Sequence, residues 1–507
     1  MRSPFLRSSS MCGIAALHHP TSVPTAEGAP MLDAIEHRGP DGRDHRQVGG
    51  HAWLGHVRLS IVDLDGGRQP LAGPGGWSLV CNGEIYNHEE LRDELGEQDF
   101  RTASDSESAL VLLARSGPAA LDRLRGMWAL CAAAPDGRFV AARDRLGIKP
   151  LYWAEVGGVR YFASELRAFP TAVQAAVETF PPGCFWTPGT GLVRFADPVP
   201  EVLPDWSGLP TEIAEKTTRE VLIDSVRRHL MADVEVGVFL SGGLDSSIVA
   251  AIAAEERAAV GQRLKTFAVG TADSPDLLAA RAAAEHLGTE HREAVFDADR
   301  AIAALDAVVE SVESFDASLI RSAVPNWFLA ELAAQHVKAV LTGEGADELF
   351  AGYGYYHRSH AAELPDELAR TIGELHGLNL QRCDRVTMAH GLEARVPFLD
   401  ADVIAHAMSL PDELKQLENG VEKAHLRRAF TGWLPDELLW RRKSQFGTGS
   451  GAQDLLTPHW ESRVTDADLA TTDAPVRTKE ELAYHRTFRN ALPNVRPEAV
   501  LTRFATA

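Results

Sequence analysis

Cys12 follows a methionine and precedes Gly13 and Ile14. A cysteine that becomes the first residue of a mature chain carries nucleophile and base together, because its thiolate attacks while its own α-amine takes the proton. The competing reading is a small buried residue opening a strand, a common state for free cysteine. A second group of interest is the run Leu240, Ser241, Gly242, Gly243, Leu244, Asp245, Ser246 and Ser247. It follows an apolar stretch and leads into a helical one. Its glycines let backbone N–H groups approach an anion closely, its serines add hydroxyl donors, and the helix start adds a positive dipole end. It is not a Walker A loop, since no lysine follows the second glycine and the spacing differs. A third group is Leu341-Thr342-Gly343-Glu344-Gly345-Ala346-Asp347-Glu348-Leu349-Phe350. Asp245 and Asp347 then lie on two separate loops, and such a carboxylate pair suits Mg²⁺ bridging phosphate oxygens. Either one alone would serve equally as a helix cap.

The elements that must position these groups change character along the chain. Before about residue 180, short alternating runs such as WSLVCNGEIY, GMWALCAAAPDGRFVAARD and VRYFASE are broken by Gly and Pro, which predicts strands joined by tight turns. The stretch 181–210 is rich in Pro and Gly and reads as a boundary. Beyond 215, apolar strands at 234–240, 265–270 and 338–341 alternate with amphipathic helical patterns. That alternation predicts a parallel sheet covered on both faces. Ligands in such sheets bind beyond the carboxyl ends of the strands, which directs attention to the loops after Leu240 and Leu341. The expected division is an extension at 1–11 that is absent from the active form, a first domain at 12–195, a linker at 196–214 and a second domain at 215–507.

Composition bounds the classes. The chain has 507 residues, enough for two or three domains, with 45% hydrophobic and 24% charged residues, as in ordinary soluble globular proteins. A net charge of −21 argues against nucleic acid as a partner. Five widely spaced cysteines without a CxxC pair read as reduced thiols in a cytoplasmic setting. The first ten residues hold no apolar run of the secretory kind, and no stretch of 18 apolar residues points to a membrane span.

Five ordered motifs, HRGPDG (37–42), GHVRLSIVD (55–63), CNGEIYNH (81–88), SDSE (104–107) and RDRLGIKPLYW (143–153), together with Cys12, resemble the glutaminase domain of the class II, N-terminal-nucleophile amidotransferases over about residues 12–170. The resemblance implies that Cys12 attacks the glutamine amide. It places Asn82 and Gly83 in the oxyanion hole and Arg58 on the glutamine α-carboxylate. It puts Asp105 on the α-ammonium, with Glu84 beside it. Arg143 and Asp144 read as a structural pair near the domain interface, and Cys81 as core. The run Ser241–Ser247 resembles the PP-loop of ATP pyrophosphatases, which implies cleavage of ATP between the α- and β-phosphates.

Together with SFDASLIRSAVP (314–325), WRRKSQFGTG (440–449) and MAHGLEARVPFLD (388–400), the chain from Cys12 to about residue 450 resembles the glutamine-hydrolysing asparagine synthetases. This implies nucleotide contacts at Leu240, Ser241, Gly242, Gly243, Asp245, Ser246, Ser247, Val269, Thr342 and Gly343. Mg²⁺ falls to Asp245 and Asp347. Catalytic work falls to Glu344 and Lys443, and acceptor or pyrophosphate contacts to Ser318 and Arg321. The block 388–400 reads mainly as a core helix and loop. The implied fold is a four-layer αββα sandwich joined to a doubly wound parallel-sheet domain. The implied substrates are glutamine, aspartate and ATP, with an internal passage for ammonia between the sites. A homodimer is compatible with the sequence but not required by it. Three departures from the family pattern bear on the acceptor: Ser444, Leu319 and a short C-terminal part. The alternatives are an amide-forming enzyme of secondary metabolism acting on another carboxylate, such as a β-lactam synthetase, and a non-catalytic glutamine or nucleotide sensor.

Overall fold

The computed structural model describes residues 12–200, 206, 208, 210–358, 363–443 and 446–504. The expected extension at 1–11 and the departure at Ser444 lie outside the described residues.

The first domain is built on strands β1 (Gly13–His18), β2 (Gly42–Val48), β3 (Ala52–Arg58), β4 (Leu71–Ala72), β5 (Ser78–Ile85), β6 (Gly126–Ala133), β7 (Phe139–Arg143), β8 (Tyr152–Val156), β9 (Val159–Ala163), β10 (Glu178–Thr179), β11 (Cys184–Thr187) and β12 (Gly191–Arg194). They form two six-stranded sheets, ordered β10-β8-β9-β1-β3-β2 and β12-β11-β7-β6-β5-β4. The sheets pack face to face through Ile14, Ala16, Leu54, Val80, Ala129, Cys131 and Phe162, all buried. Helix α1 (Gly28–Ala34) covers the first sheet over β1 and β3. Helix α3 (Asp105–Ser116) covers the second over β5, with α2 (His88–Leu95) packed on it. Each inner strand is buried on both faces, which is why β1 and β6 are almost uninterrupted apolar runs. The four-layer αββα sandwich is therefore present as expected.

The second domain begins with α4 (Thr211–His229), so the expected boundary at 214/215 falls inside a helix. The sheet strands are β13 (Val236–Phe239), β14 (Lys265–Gly270), β15 (Glu290–Val295), β16 (Ala339–Leu341) and β17 (Glu393–Arg395). They pair in parallel in the order β15-β14-β13-β16-β17. Helices α5 (Leu244–Ala259), α6 (Pro275–Leu287), α7 (Ala298–Val312) and α8 (Ala317–Ala333) cover it. The first strand sits mid-sheet with neighbours running off in both directions. A crevice must therefore open between the loops after β13 and β16, the usual ligand position in such sheets.

Two local expectations change. The block 388–400 is not only helix and loop, because it contains β17, the fifth strand, with Glu393 and Arg395 buried and paired at 2.8 Å. Arg143 and Asp144 both hold the turn at 144–149: Arg143 donates to the carbonyls of Gly147, Lys149 and Phe180, and Asp144 accepts from the N–H groups of Trp128, Leu146, Ile148 and Lys149. The two domains share apolar core, which runs from Leu17, Met31 and Leu32 to Phe315, Leu319 and Ile320.

Candidate functional site

Cys12 stands immediately before β1, half-buried, with its thiol donating to the Leu59 carbonyl at 3.6 Å. Burial pushes the thiol up to about 12, with Glu84 and Glu393 raising it further and Arg58 and the Leu59 contact opposing them. As it stands the sulfur is protonated, so attack needs a base within reach. Asn82 lies on β5, 1% exposed, and both polar atoms of its amide lack any hydrogen-bond partner. Burying an amide unpaired is costly unless something else satisfies it. Gly83 follows with φ of 135°, and a Cβ there would lie 1.9 Å from the Met127 carbonyl oxygen on β6. Only glycine fits where β5 passes β6 this closely.

The charged residues around this pocket are buried. Arg58, at the end of β3, donates to the carbonyls of Leu64 (2.9 Å), Val62 (3.3 Å) and Asp63 (2.6 Å), so it shapes the loop after its own strand. Asp105 opens α3 and accepts from the Ile85 N–H at 2.7 Å, and burial pushes its carboxyl up to about 6. Glu84 is pushed up by burial and by Glu393 and Asp105, while Arg395 at 3.5 Å opposes this. Cys81 is fully buried, as expected.

At the second site, the loop after β13 is folded by its own serines. Ser246 Oγ donates to the Gly243 carbonyl at 3.2 Å and accepts from the Ser241 N–H at 3.2 Å, and the two hydroxyls meet at 3.0 Å. Ser247, in the first turn of α5, is buried with its hydroxyl unpartnered. Arg441 clips the Gly242 carbonyl at 3.2 Å. The loop after β16 lies against this one: a Cβ on Gly343 would stand 2.9 Å from the Ser246 nitrogen. Thr342 is buried and its hydroxyl accepts from the Glu344 N–H at 3.4 Å. Leu240 and Val269 sit at strand ends with side chains in the core, so only their backbone faces the loops.

Asp245 and Asp347 are brought together, and a residue that sequence reading missed stands between them. The Lys423 ammonium is 2.7 Å from both Asp245 oxygens and 2.7 Å from Asp347. Lys423 is 2% exposed and holds φ of 56°, a strained conformation for a non-glycine residue. Lys443 forms a second ion pair with Asp347 and lies 4.6 Å over the Tyr353 ring. The two lysines hold Asp347 ionised well below the usual carboxylate range. Burial pushes Glu344 up, and its ion pair with Arg382 opposes this. Among the described residues no cluster of three or more His, Cys, Asp or Glu side chains could hold a metal. The cation that the two aspartates share is the Lys423 ammonium.

The acceptor-side residues are less gathered. Ser318 lies in the first turn of α8, half-buried. Arg321 is one turn further on and is engaged by Glu480 at 2.8 and 2.5 Å. Leu319 is fully buried in the core, so this departure from the family pattern does not line a site.

A thiol pocket in one domain and a serine-lined loop facing paired aspartates in the other define a two-site enzyme of the amide-transfer class. The family model for asparagine synthase matches residues 217–367 and 359–497, and that for a glutamine amidotransferase domain matches 11–181. A probable asparagine synthetase (glutamine-hydrolysing) of Schizosaccharomyces pombe is 37% identical, covering 97% of this chain and 95% of its own. Asparagine synthetase B (glutamine-hydrolysing) of Escherichia coli is 38% identical over 90% of this chain and 87% of its own. Among solved structures, a glutamine phosphoribosylpyrophosphate amidotransferase from B. subtilis covers 51% of this chain and 75% of its own at 19% identity and a TM-score of 0.32, too distant to bear on the site. The chain belongs to the asparagine synthase family.

Proposed function

We propose that this chain makes asparagine from aspartate, drawing ammonia from glutamine and cleaving ATP to AMP and pyrophosphate. The observation that carries the glutamine half is the buried, unpartnered Asn82 amide beside Gly83, on the strand that packs by Cys12. An amide-forming relative that needs no ammonia would have no use for an oxyanion pocket beside a thiol. In this reading the Cys12 sulfur attacks the glutamine amide carbon, and the Asn82 side chain and Gly83 N–H take the oxyanion. Ammonia leaves and water cleaves the thioester. In this reading the base for the Cys12 thiol is its own α-amine, so the active form lacks residues 1–11, through a start at Met11 or through proteolysis. Arg58 and Asp105 take the α-carboxylate and α-ammonium of glutamine.

At the second site the β-carboxylate of aspartate attacks the α-phosphorus of ATP and pyrophosphate departs. Ammonia then attacks the acyl carbon and AMP departs. The Ser241–Ser247 loop and Thr342-Gly343 hold the nucleotide, and Lys443 and Lys423 neutralise phosphate charge. Ser318 and Arg321 face acceptor or pyrophosphate once Arg321 leaves Glu480. Asp245 and Asp347 are the residues that would hold Mg²⁺ once the Lys423 ammonium leaves its place between them, and the ion would supply charge neutralisation. Glu344, with its raised pKa, orients the acceptor or takes a proton from ammonia.

The test is product analysis by mass spectrometry with glutamine, ATP, Mg²⁺ and a panel of carboxylate acceptors. Asparagine, AMP and pyrophosphate are expected. ADP as the main nucleotide product, or amidation of another acceptor in preference to aspartate, would overturn the reading. Asp347→Asn should abolish AMP formation and leave glutamate release from glutamine intact.

A further inference from the structure

The helix Asn379–Met388 lies between the two sites and is buried from Leu380 to Met388. Three charged side chains on it reach in different directions. Arg382 pairs with Glu344 in the second site. Asp384, two positions on and about 200° around the helix, accepts from Arg38 of the first domain at 3.0 and 3.3 Å. Arg385 pairs with Glu165 at 3.1 Å and Glu313 at 3.3 Å.

Arg38 is fully buried, and its fork is fixed at three points: Asp384, Glu165 at 2.7 Å, and the Cys12 carbonyl, to which Nε donates at 3.1 Å. Lys149 closes the network, 3.6 Å from Asp384 and 3.3 Å from Glu393. A continuous path therefore runs from half-buried Glu344 through buried Arg382, the helix, Asp384 and Arg38 to the backbone of the nucleophile. The direction of the Cys12 carbonyl fixes ψ at Cys12, and with it where the nitrogen and Cβ point; only χ1 is then left to place the sulfur. A planar guanidinium gripped from three sides fixes that direction as a point charge could not.

We propose that Arg38 and Asp384 are positioning residues for the Cys12 nucleophile, and that the helix Asn379–Met388 is the rigid link through which Glu344 in the synthetase site acts on glutamine hydrolysis. This rests on the reading that Cys12 hydrolyses glutamine. Asparagine replacing Asp384 keeps an acceptor for Arg38 but loses the charge, so the fork can turn. A misplacement near 1 Å at a reacting group costs about 10²-fold in rate.

The experiment measures glutamate release and ammonium-dependent asparagine formation by the full chain. Asp384→Asn should lower the glutaminase kcat by about 10- to 100-fold, with the KM for glutamine and the ammonium-dependent rate within about twofold of the parent. Asp384→Glu should restore most of the loss. Arg382→Gln should lower the same kcat, and a folded Arg382→Gln protein with an unchanged glutaminase kcat overturns the link to Glu344. If Asp384→Asn does not fold, Arg38→Lys, which keeps the charge but not the three-way fork, carries the same expectation. A folded Asp384→Asn protein with an unchanged glutaminase kcat, or equal losses of both activities that Asp384→Glu does not rescue, overturns the link. A parent that releases no glutamate overturns the functional reading as well; a parent that does, beside an unaffected variant, overturns the link alone.

Discussion

Gly83→Ala isolates the geometry of the oxyanion pocket from the identity of its nucleophile. The methyl group would arrive 1.9 Å from the Met127 carbonyl oxygen, on a backbone with φ of 135°. Ordinary carbon contacts lie near 3.5 Å or beyond, so β5 must move away from β6 by on the order of 1 Å. The disfavoured torsion adds roughly 1–3 kcal/mol of strain. Pairing of Gly83 with Trp128 and of Asn82 with Ala129 is in register across these strands, so both candidate donors shift together. A lost oxyanion donor costs about 10²–10³ in kcat, or roughly 2.7–4 kcal/mol. Glutamate release should fall by at least that factor, and ammonium-dependent synthesis should stay within about twofold of the parent, since the second domain is untouched. Gly117→Ala is the matched control: φ is 78°, but the added carbon meets nothing within 4 Å. It should show the strain in thermal unfolding and leave glutamate release unchanged. A Gly83→Ala enzyme keeping more than about a tenth of parental glutaminase activity would refute the assignment, because a shift of this size cannot spare a hydrogen bond to an oxyanion.

Cys12→Ala should abolish glutamine-dependent synthesis and leave ammonium-dependent synthesis in place, measured by asparagine formed with each nitrogen source. Lys423→Met leaves two half-buried carboxylates facing each other without their shared ammonium. Pyrophosphate release should fall by on the order of 10²-fold, and the residual rate should rise with pH as the two carboxylates, which repel each other when both are ionised, shed a retained proton. Asp105, pushed up to about 6 by burial, is a neutral acid below that pH, so the KM for glutamine should rise as pH falls through 6, and Asp105→Asn should flatten the profile. The native state also binds this proton more tightly than the unfolded chain does, so the group's contribution to stability is complete below 3.8 and declines as pH rises through about 6.

Much of the architecture was legible because its signals are local. The buried run of β13, the glycine-rich loop and the alanine-rich α5 announce a strand–loop–helix unit within one stretch of chain. The same holds for Asn82 and Gly83, neighbours on one strand, and for Asp245 and Asp347, each in the first turn after a sheet strand. Edge elements were less legible. The strand β15 is EHREAV, largely polar because it borders the sheet, and carries no apolar alternation. The strand β17 was read as part of a core helix and loop, because three residues with Glu393 and Arg395 at either end carry no strand signal. They are buried because they pair with each other and with Lys149 and Glu84.

What the sequence hid altogether are pairings between distant charges. Lys423 belongs to no glycine-rich run, and nothing in its neighbours distinguishes it from a solvated lysine. Its meaning lies in two aspartates, one 178 and the other 76 residues away along the chain. Arg38 sits within a motif whose visible content is a turn, yet its partners Glu165 and Asp384 stand 127 and 346 residues downstream. Burying an ion is expensive unless its counter-ion and hydrogen bonds are already in place, so such residues persist in a core only where the fold assembles all partners at once. That requirement makes them invisible to any local pattern. It also makes each of them sensitive to the docking of the two domains: a change of domain angle that left every local motif intact would still strip Arg38 of Asp384 and leave the Cys12 carbonyl without a fixed direction.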